Sequence, residues 1–316
     1  APHFPLHALP EDIAKYEKTY TSGWETIRTK RHQHMSELGF PKINLSPVIP
    51  NLGPPYHFPN HLKILGPNEV NRPLPWDSLT ASQQTFQARK MAIHAAMIER
   101  MDQEIGRVIS HLKKTNRFDD TLILFLSDNG ASAEIMVRGD GHEPTAPMGS
   151  AATYLCLGPG WSTTANTPFR KHKTWTHEGG IATPLIAHWP KGITAKKEFR
   201  HTPAHVIDVL PTLLNLTGLK QDSPALTFPG KSLLPLFFED QKNFHQALWW
   251  CHEGHNAILR DGWKAVSSHK EPWELYKLTK DRSETQNLAA KHPDKLKSLI
   301  TLWNKRADQY LAEAKK

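Results

Sequence analysis

Leu122 to Ser127 form an almost unbroken apolar run that stops at Asp128-Asn129-Gly130. An apolar run that short and without a period predicts a strand buried on both faces. The preceding segment reads as its partner helix. Thr80 and Gln83 fit a capping box, and Ile93, Met97, Met101, Ile105, Val108 and Leu112 recur at helical spacing. Helix, short turn (Asn116–Asp120) and buried strand make an α/β unit. The carboxyl end of such a strand is where α/β folds hold ligands. Asp128 and Asn129 offer hard oxygen donors there, suited to Ca²⁺ or Mg²⁺. The same residues also favour turns, and taken alone the run leaves both readings open.

The chain has 316 residues, enough for one large domain or a domain with a small appendage. Its 38% apolar and 22% charged residues are ordinary for a globular protein. No apolar run is long enough to span a membrane. The formal charge of +8 is spread along the chain, with no basic run interleaved with aromatics. Nucleic acid is therefore not an expected partner. Cys156 and Cys251 alone make no disulfide framework.

Residues 1–11 read as an extended loop carrying His3 and His7, and Asp12–Gly39 as one helix ended by Gly39. Pro41–Pro75 reads as a long surface excursion. Ala152–Leu157 is a short apolar run, not a core strand. Asn166–Pro184 is dense in cations around Lys173 and contains Glu178-Gly179-Gly180, and Leu185–Trp189 reads as a second buried strand. Thr202-Pro203 predicts a helix start, Pro211 a restart and Gly218 an end. Beyond residue 240 the segments Ala247–Cys251, Asn256–Leu259, Trp263–Val266 and Trp273–Leu278 read as short strands, with a hairpin at Asp261-Gly262. Pro293–Leu311 supplies one covering helix, with Leu296, Ile300, Trp303, Ala307 and Tyr310 on a face.

Taken in order, APHFPLH, LSDNG, NTPFRKHKTWTHEGGIATPLIAHWP, HVIDVLPTLLNLTG and ELYKLTKDRSETQNLA resemble the C-terminal two thirds of a sulfatase of the alkaline-phosphatase superfamily. The bacterial arylsulfatases are the nearest type. The resemblance implies an alkaline-phosphatase-like α/β fold, a mixed sheet flanked by helices, with a small C-terminal antiparallel α+β subdomain. The expected division is 1–239 for the core and 240–316 for the subdomain. It implies sulfuric ester hydrolysis, with Asp128 and Asn129 binding a divalent cation, usually Ca²⁺. Lys173, five positions before the Glu of Glu-Gly-Gly, contacts the sulfate, and His3 its leaving-group side. Both would be catalytic and substrate-binding. As the S–O bond breaks, a metal, a lysine and a histidine would stabilise the growing negative charge or supply a proton. Phosphate or phosphonate ester hydrolysis, or a non-catalytic remnant, are the alternatives.

The family's nucleophile is a formylglycine made within Cys/Ser-x-Pro-x-Arg. Neither Cys156 nor Cys251 fits that motif, and no Ser-x-Pro-x-Arg occurs. The expectation is that the nucleophile lies in an N-terminal sulfatase segment outside this chain, and that the chain alone is inactive. The expected substrate is a sulfated small molecule or glycan, and the expected compartment is periplasmic or secreted.

Overall fold

The computed structural model describes residues 2–139, 141–195, 197–219 and 228–315. The chain forms two compact units. The first comprises 1–112, 129–182 and 281–285, and the second 113–128, 183–280 and 286–316.

The first unit begins with α1 (Pro10–Ala14) and α2 (Gly23–Glu37). The single helix expected over Asp12–Gly39 is broken because Gly23 enters α2 at φ 83°, a backbone state that a continuous helix cannot contain. A side chain there would also strike the Trp76 ring. Gly39, at φ 80°, ends the segment as expected. The Pro-rich excursion is not featureless: Pro59 opens α3 (Pro59–Leu65), where its missing N–H costs nothing.

The longest helix, α4 (Ala81–Lys114), starts where the capping box predicts. Thr80 N–H donates to Gln83 Oε1 at 3.0 Å, and Gln83 N–H to Thr80 Oγ1 at 3.3 Å. Only its first half is core. Ala92, Ile93 and Ala96 are buried with Leu6, Ile13, Leu65, Ile135, Val137 and Leu155, whereas Val108 in the second half is 61% exposed. Residues 152–157 form no strand, as expected, yet Leu155 and Cys156 are buried and Leu6 N–H donates to Leu155 O. Helix α5 (Gly158–Ala165) lies against α2. Gly160 has no room for a Cβ beneath the Trp24 ring, and Trp24, Trp76 and Trp161 pack edge to face. The short helix α6 (Glu178–Ile181) follows.

In the second unit, β1 (Ile123–Leu126) and β2 (Leu185–His188) pair antiparallel, Leu124 opposite Ala187. The expectation of strands buried on both faces is corrected. Leu122, Leu124 and Ala187 pack on Leu233, Leu236 and Phe237, but Phe125 and Ile186 are 39% and 57% exposed. The single turn Leu234–Phe237 covers one face of the pair and leaves the other open.

Helix α7 (Val209–Thr217) begins seven residues after Thr202, not at it. The delay has a cause in side-chain bonding: Asp208 Oδ2 accepts His205 N–H at 2.8 Å and His205 Nδ1 accepts Ile207 N–H, tying a tight turn ahead of the helix. Pro211 falls in the first turn, where it is tolerated, and Gly218 closes the helix at φ 68°.

The C-terminal strands β3 (Leu248–His252), β4 (His255–Arg260), β5 (Trp263–Ser267) and β6 (Glu274–Lys277) form an antiparallel meander in chain order. Asp261 and Gly262, both at positive φ, make the hairpin between β4 and β5. Helix α8 (Pro293–Glu313) covers the sheet, with Leu296, Leu299 and Trp303 against Ile258, Ala265 and Leu275. No helix among the described residues is long and apolar enough to cross a membrane.

Candidate functional site

The site grows from two loops of the first unit that the glycines let approach. Gly130 N–H donates to Gly180 O at 2.9 Å, and Lys173 N–H to Ala131 O at 3.1 Å. A Cβ on Gly130 would stand 1.8 Å from Gly179 O, and one on Gly179 2.1 Å from Arg170 O. Only glycine fits at either position. The loop that follows Asn129 is thereby locked to the loop that carries Lys173.

Ala131 O is the hub. Besides Lys173 N–H it receives Ser162 Oγ at 2.9 Å and Asn166 Nδ2 at 3.4 Å. Asn166 also accepts Ala131 N–H at 2.7 Å and donates to Lys171 O at 3.1 Å, so one amide bridges both loops. Ser162 spends its only proton on Ala131 O and must therefore accept from His172 Nδ1, 2.7 Å away. His172 is fully buried, and burial pushes its pKa down to about 3, with the nearby Arg28 and Lys171 charges adding to the effect. It is a neutral structural donor, next to Lys173 in the chain.

Lys173 is half-buried, and its Nζ lies 3.1 Å from His3 Nε2. His3 Nδ1 faces Phe4 O at 3.2 Å. An ammonium can only donate, so the contacts require a His3 ring protonated at Nδ1, with the Nε2 lone pair toward Lys173. Of the residues the sequence pointed to, His3 and Lys173 are thus brought together although they stand 170 positions apart. His94, on the buried face of α4, hydrogen-bonds the Pro2 backbone, and burial holds its pKa down at about 4. Nothing in the helical pattern distinguishes it from a core position. His7 contacts the Thr153 carbonyl at 2.7 Å and serves the loop backbone.

Asp128 and Asn129 follow β1 after Ser127, in a bend. Asp128 is exposed and Asn129 half-buried, next to the locked Gly130. Their carboxylate and amide oxygens suit a hard divalent cation in kind, and supply two of the roughly six to eight oxygens Ca²⁺ takes. Arg170, Lys171 and His177, other basic residues of the loop around Lys173, have partners here. Arg170 Nη1 donates to Glu284 O at 2.7 Å, and Lys171 Nζ lies 3.4 Å from His177 Nε2.

Other proteins share this arrangement of sequence. Residues 1–219 match the family model described as Sulfatase, and residues 169–309 match that described as N-sulphoglucosamine sulphohydrolase, C-terminal. An uncharacterized sulfatase of Schizosaccharomyces pombe is 32% identical over 96% of this chain and 55% of its own length. An arylsulfatase of Klebsiella aerogenes is 30% identical over 75% of this chain and 48% of its own length. A crystal structure of Ps i-CgsB in complex with k-i-k-neocarrahexaose has a TM-score of 0.52 and 26% identity, covering 68% of this chain and 42% of that one. The chain spans about half the length of the curated relatives it matches.

Proposed function

The chain belongs to the sulfatase family, and we propose that it supplies the sulfate-contacting and cation-holding side of a sulfuric ester hydrolase of the arylsulfatase type. The observation that carries the reading is the Lys173–His3 pair, with the Lys173 backbone bonded to Ala131 O. A sulfate ester presents anionic oxygens that an ammonium can meet as a compact charge. The bridging oxygen gains charge as the S–O bond breaks. His3, beside Lys173, is positioned to serve that leaving-group oxygen. Seating a sulfate on Lys173 would free His3 Nε2 from its present donor, and that nitrogen must then carry a proton to donate to the leaving-group oxygen.

Sulfatases generally use a divalent metal and a formylglycine. In our reading Asp128 and Asn129 would hold the metal, Ca²⁺ by family preference, and a bound cation would offset sulfate charge. The formylglycine would come from an N-terminal sulfatase segment outside this sequence, since no Cys/Ser-x-Pro-x-Arg occurs in it. The names of the relatives support a sulfated small molecule or glycan as substrate.

The test is turnover of an aryl sulfate with added Ca²⁺ by the 316-residue chain and by the full-length protein that contains it. The short chain should be inactive. In the full-length protein Lys173→Ala should lower kcat/KM by about 10²–10³-fold, the usual loss for one preorganised charge-stabilising group. Robust turnover by the short chain that survives Lys173→Ala would overturn the assignment.

A further inference from the structure

The five residues Asp281–Thr285 belong to the first unit, although the chain on either side of them belongs to the second. They follow β6, within the stretch ELYKLTKDRSETQNLA, and no part of the reaction accounts for them. Their contacts converge on the loop that bears Lys173. Glu284 is fully buried, and its Oε2 accepts Glu178 N–H at 2.8 Å. Its main-chain carbonyl accepts Arg170 Nη1 at 2.7 Å. Residues 170 and 178 are the two ends of that loop, and they are closed on each other by Gly179 N–H to Arg170 O at 3.0 Å. Arg282 reinforces the same clamp. Its Nε lies 3.3 Å from Glu178 Oε2, and its guanidinium sits 5.3 Å from the Phe169 ring centroid. Ser283 Oγ donates to Asn44 O, which anchors the segment from its other side.

From these contacts we infer that Glu284 is a positioning residue for Lys173, acting through the Arg170–Glu178 loop. The inference rests on the reading of Lys173 as the sulfate-contacting charge. Its side chain holds the Glu178 end and its main-chain carbonyl the Arg170 end, so removing the carboxylate frees the loop at residue 178. The hub at Ala131 fixes the Lys173 backbone, and the Glu284 carboxylate adds the bond to Glu178 N–H at the far end of the loop. A displacement of about 1 Å at a charge-stabilising group costs on the order of 10²-fold in rate.

The experiment is a double-mutant cycle in the full-length protein with an aryl sulfate: Glu284→Ala, Lys173→Ala and the pair. Glu284→Ala should lower kcat/KM by about 10–100-fold, and Glu284→Gln, which keeps the accepting oxygen, should recover most of it. In the Lys173→Ala background Glu284→Ala should change kcat/KM by less than about twofold, because coupled residues do not add. Full additivity of the two losses would overturn the inference and make Glu284 merely structural. If Lys173→Ala alone leaves activity intact, the sulfate-site reading has failed instead, and the two failures are told apart. Should Glu284→Ala not fold, the same cycle run with Glu284→Asp, whose shorter side chain withdraws the carboxylate from Glu178 N–H, decides, with the melting temperature of each variant measured beside its kcat.

Discussion

Gly130→Ala is the sharpest perturbation of the frame. The added methyl would stand 1.8 Å from Gly179 O and 2.9 Å from its carbonyl carbon, where ordinary contact begins at 3.4 Å. Neither partner is a flexible side chain, so the two loops must part by more than an ångström. That movement breaks the 2.9 Å bond from Gly130 N–H to Gly180 O and strains the Ala131–Asn166 pair. Overpacking costs about 1–3 kcal/mol and a lost buried hydrogen bond about 1 kcal/mol more. The expected destabilisation is therefore roughly 2–4 kcal/mol, or for a chain of 316 residues a fall in Tm of roughly 3–6 °C. Because Lys173 moves with its loop, activity of the full-length protein should fall by about 10²-fold as well. Gly106→Ala is the control. Gly106 lies within α4, has nothing within 4 Å of its would-be Cβ, and gains helix propensity of up to about 1 kcal/mol. Thermal melts of both variants, with kinetics beside them, are the assay. A Gly130→Ala protein that melts within a degree of wild type and turns over normally would refute the packing argument.

Two further outcomes follow from buried groups elsewhere in the first unit. Lys90 Nζ lies 2.7 and 2.9 Å from the two Glu69 oxygens, both side chains fully buried, so Glu69→Gln should cost about 3–5 kcal/mol in chemical denaturation. The double variant Glu69→Leu with Lys90→Met should recover most of that loss, because it leaves no buried charge unpaired. His94 and His172 have folded pKa values of about 4 and about 3 against the ordinary 6.5, so the unfolded chain binds protons that the folded one does not. Their contribution is complete above pH 6.5 and lost as pH falls, at about 1.4 kcal/mol per unit each. His94→Leu should flatten the stability curve between pH 6.5 and 4 by one such slope, and an unchanged curve would contradict the burial of that ring.

What the sequence showed directly was local. The α4 cap is written in Thr80 and Gln83, the β4–β5 hairpin in Asp261-Gly262, and the covering helix in the spacing of Leu296, Trp303 and Tyr310. Each is decided within a few residues of chain. The frame around Lys173 was illegible for the opposite reason. Asn166, Ser162 and Glu284 act by bonding residues up to 114 positions away, and a lone Asn, Ser or Glu carries no periodicity to announce it. His3 and Lys173 were reached only through family resemblance. The burial of β1 was overestimated because an apolar run reports what a strand can bury, not what its neighbours cover.

Six of the ten tryptophans fall into two clusters, one in each unit. Trp24, Trp76 and Trp161 meet with ring centroids 4.9 to 5.8 Å apart in the first. In the second, Trp303 lies 5.5 Å from Trp249 and 5.7 Å from Trp273. Indoles this close couple their electronic transitions, so each cluster gives its own near-ultraviolet dichroism band. A Trp161→Phe or a Trp303→Phe replacement silences one band and leaves the other. The loosening of either unit can then be followed by light alone, with no label attached and no substrate added.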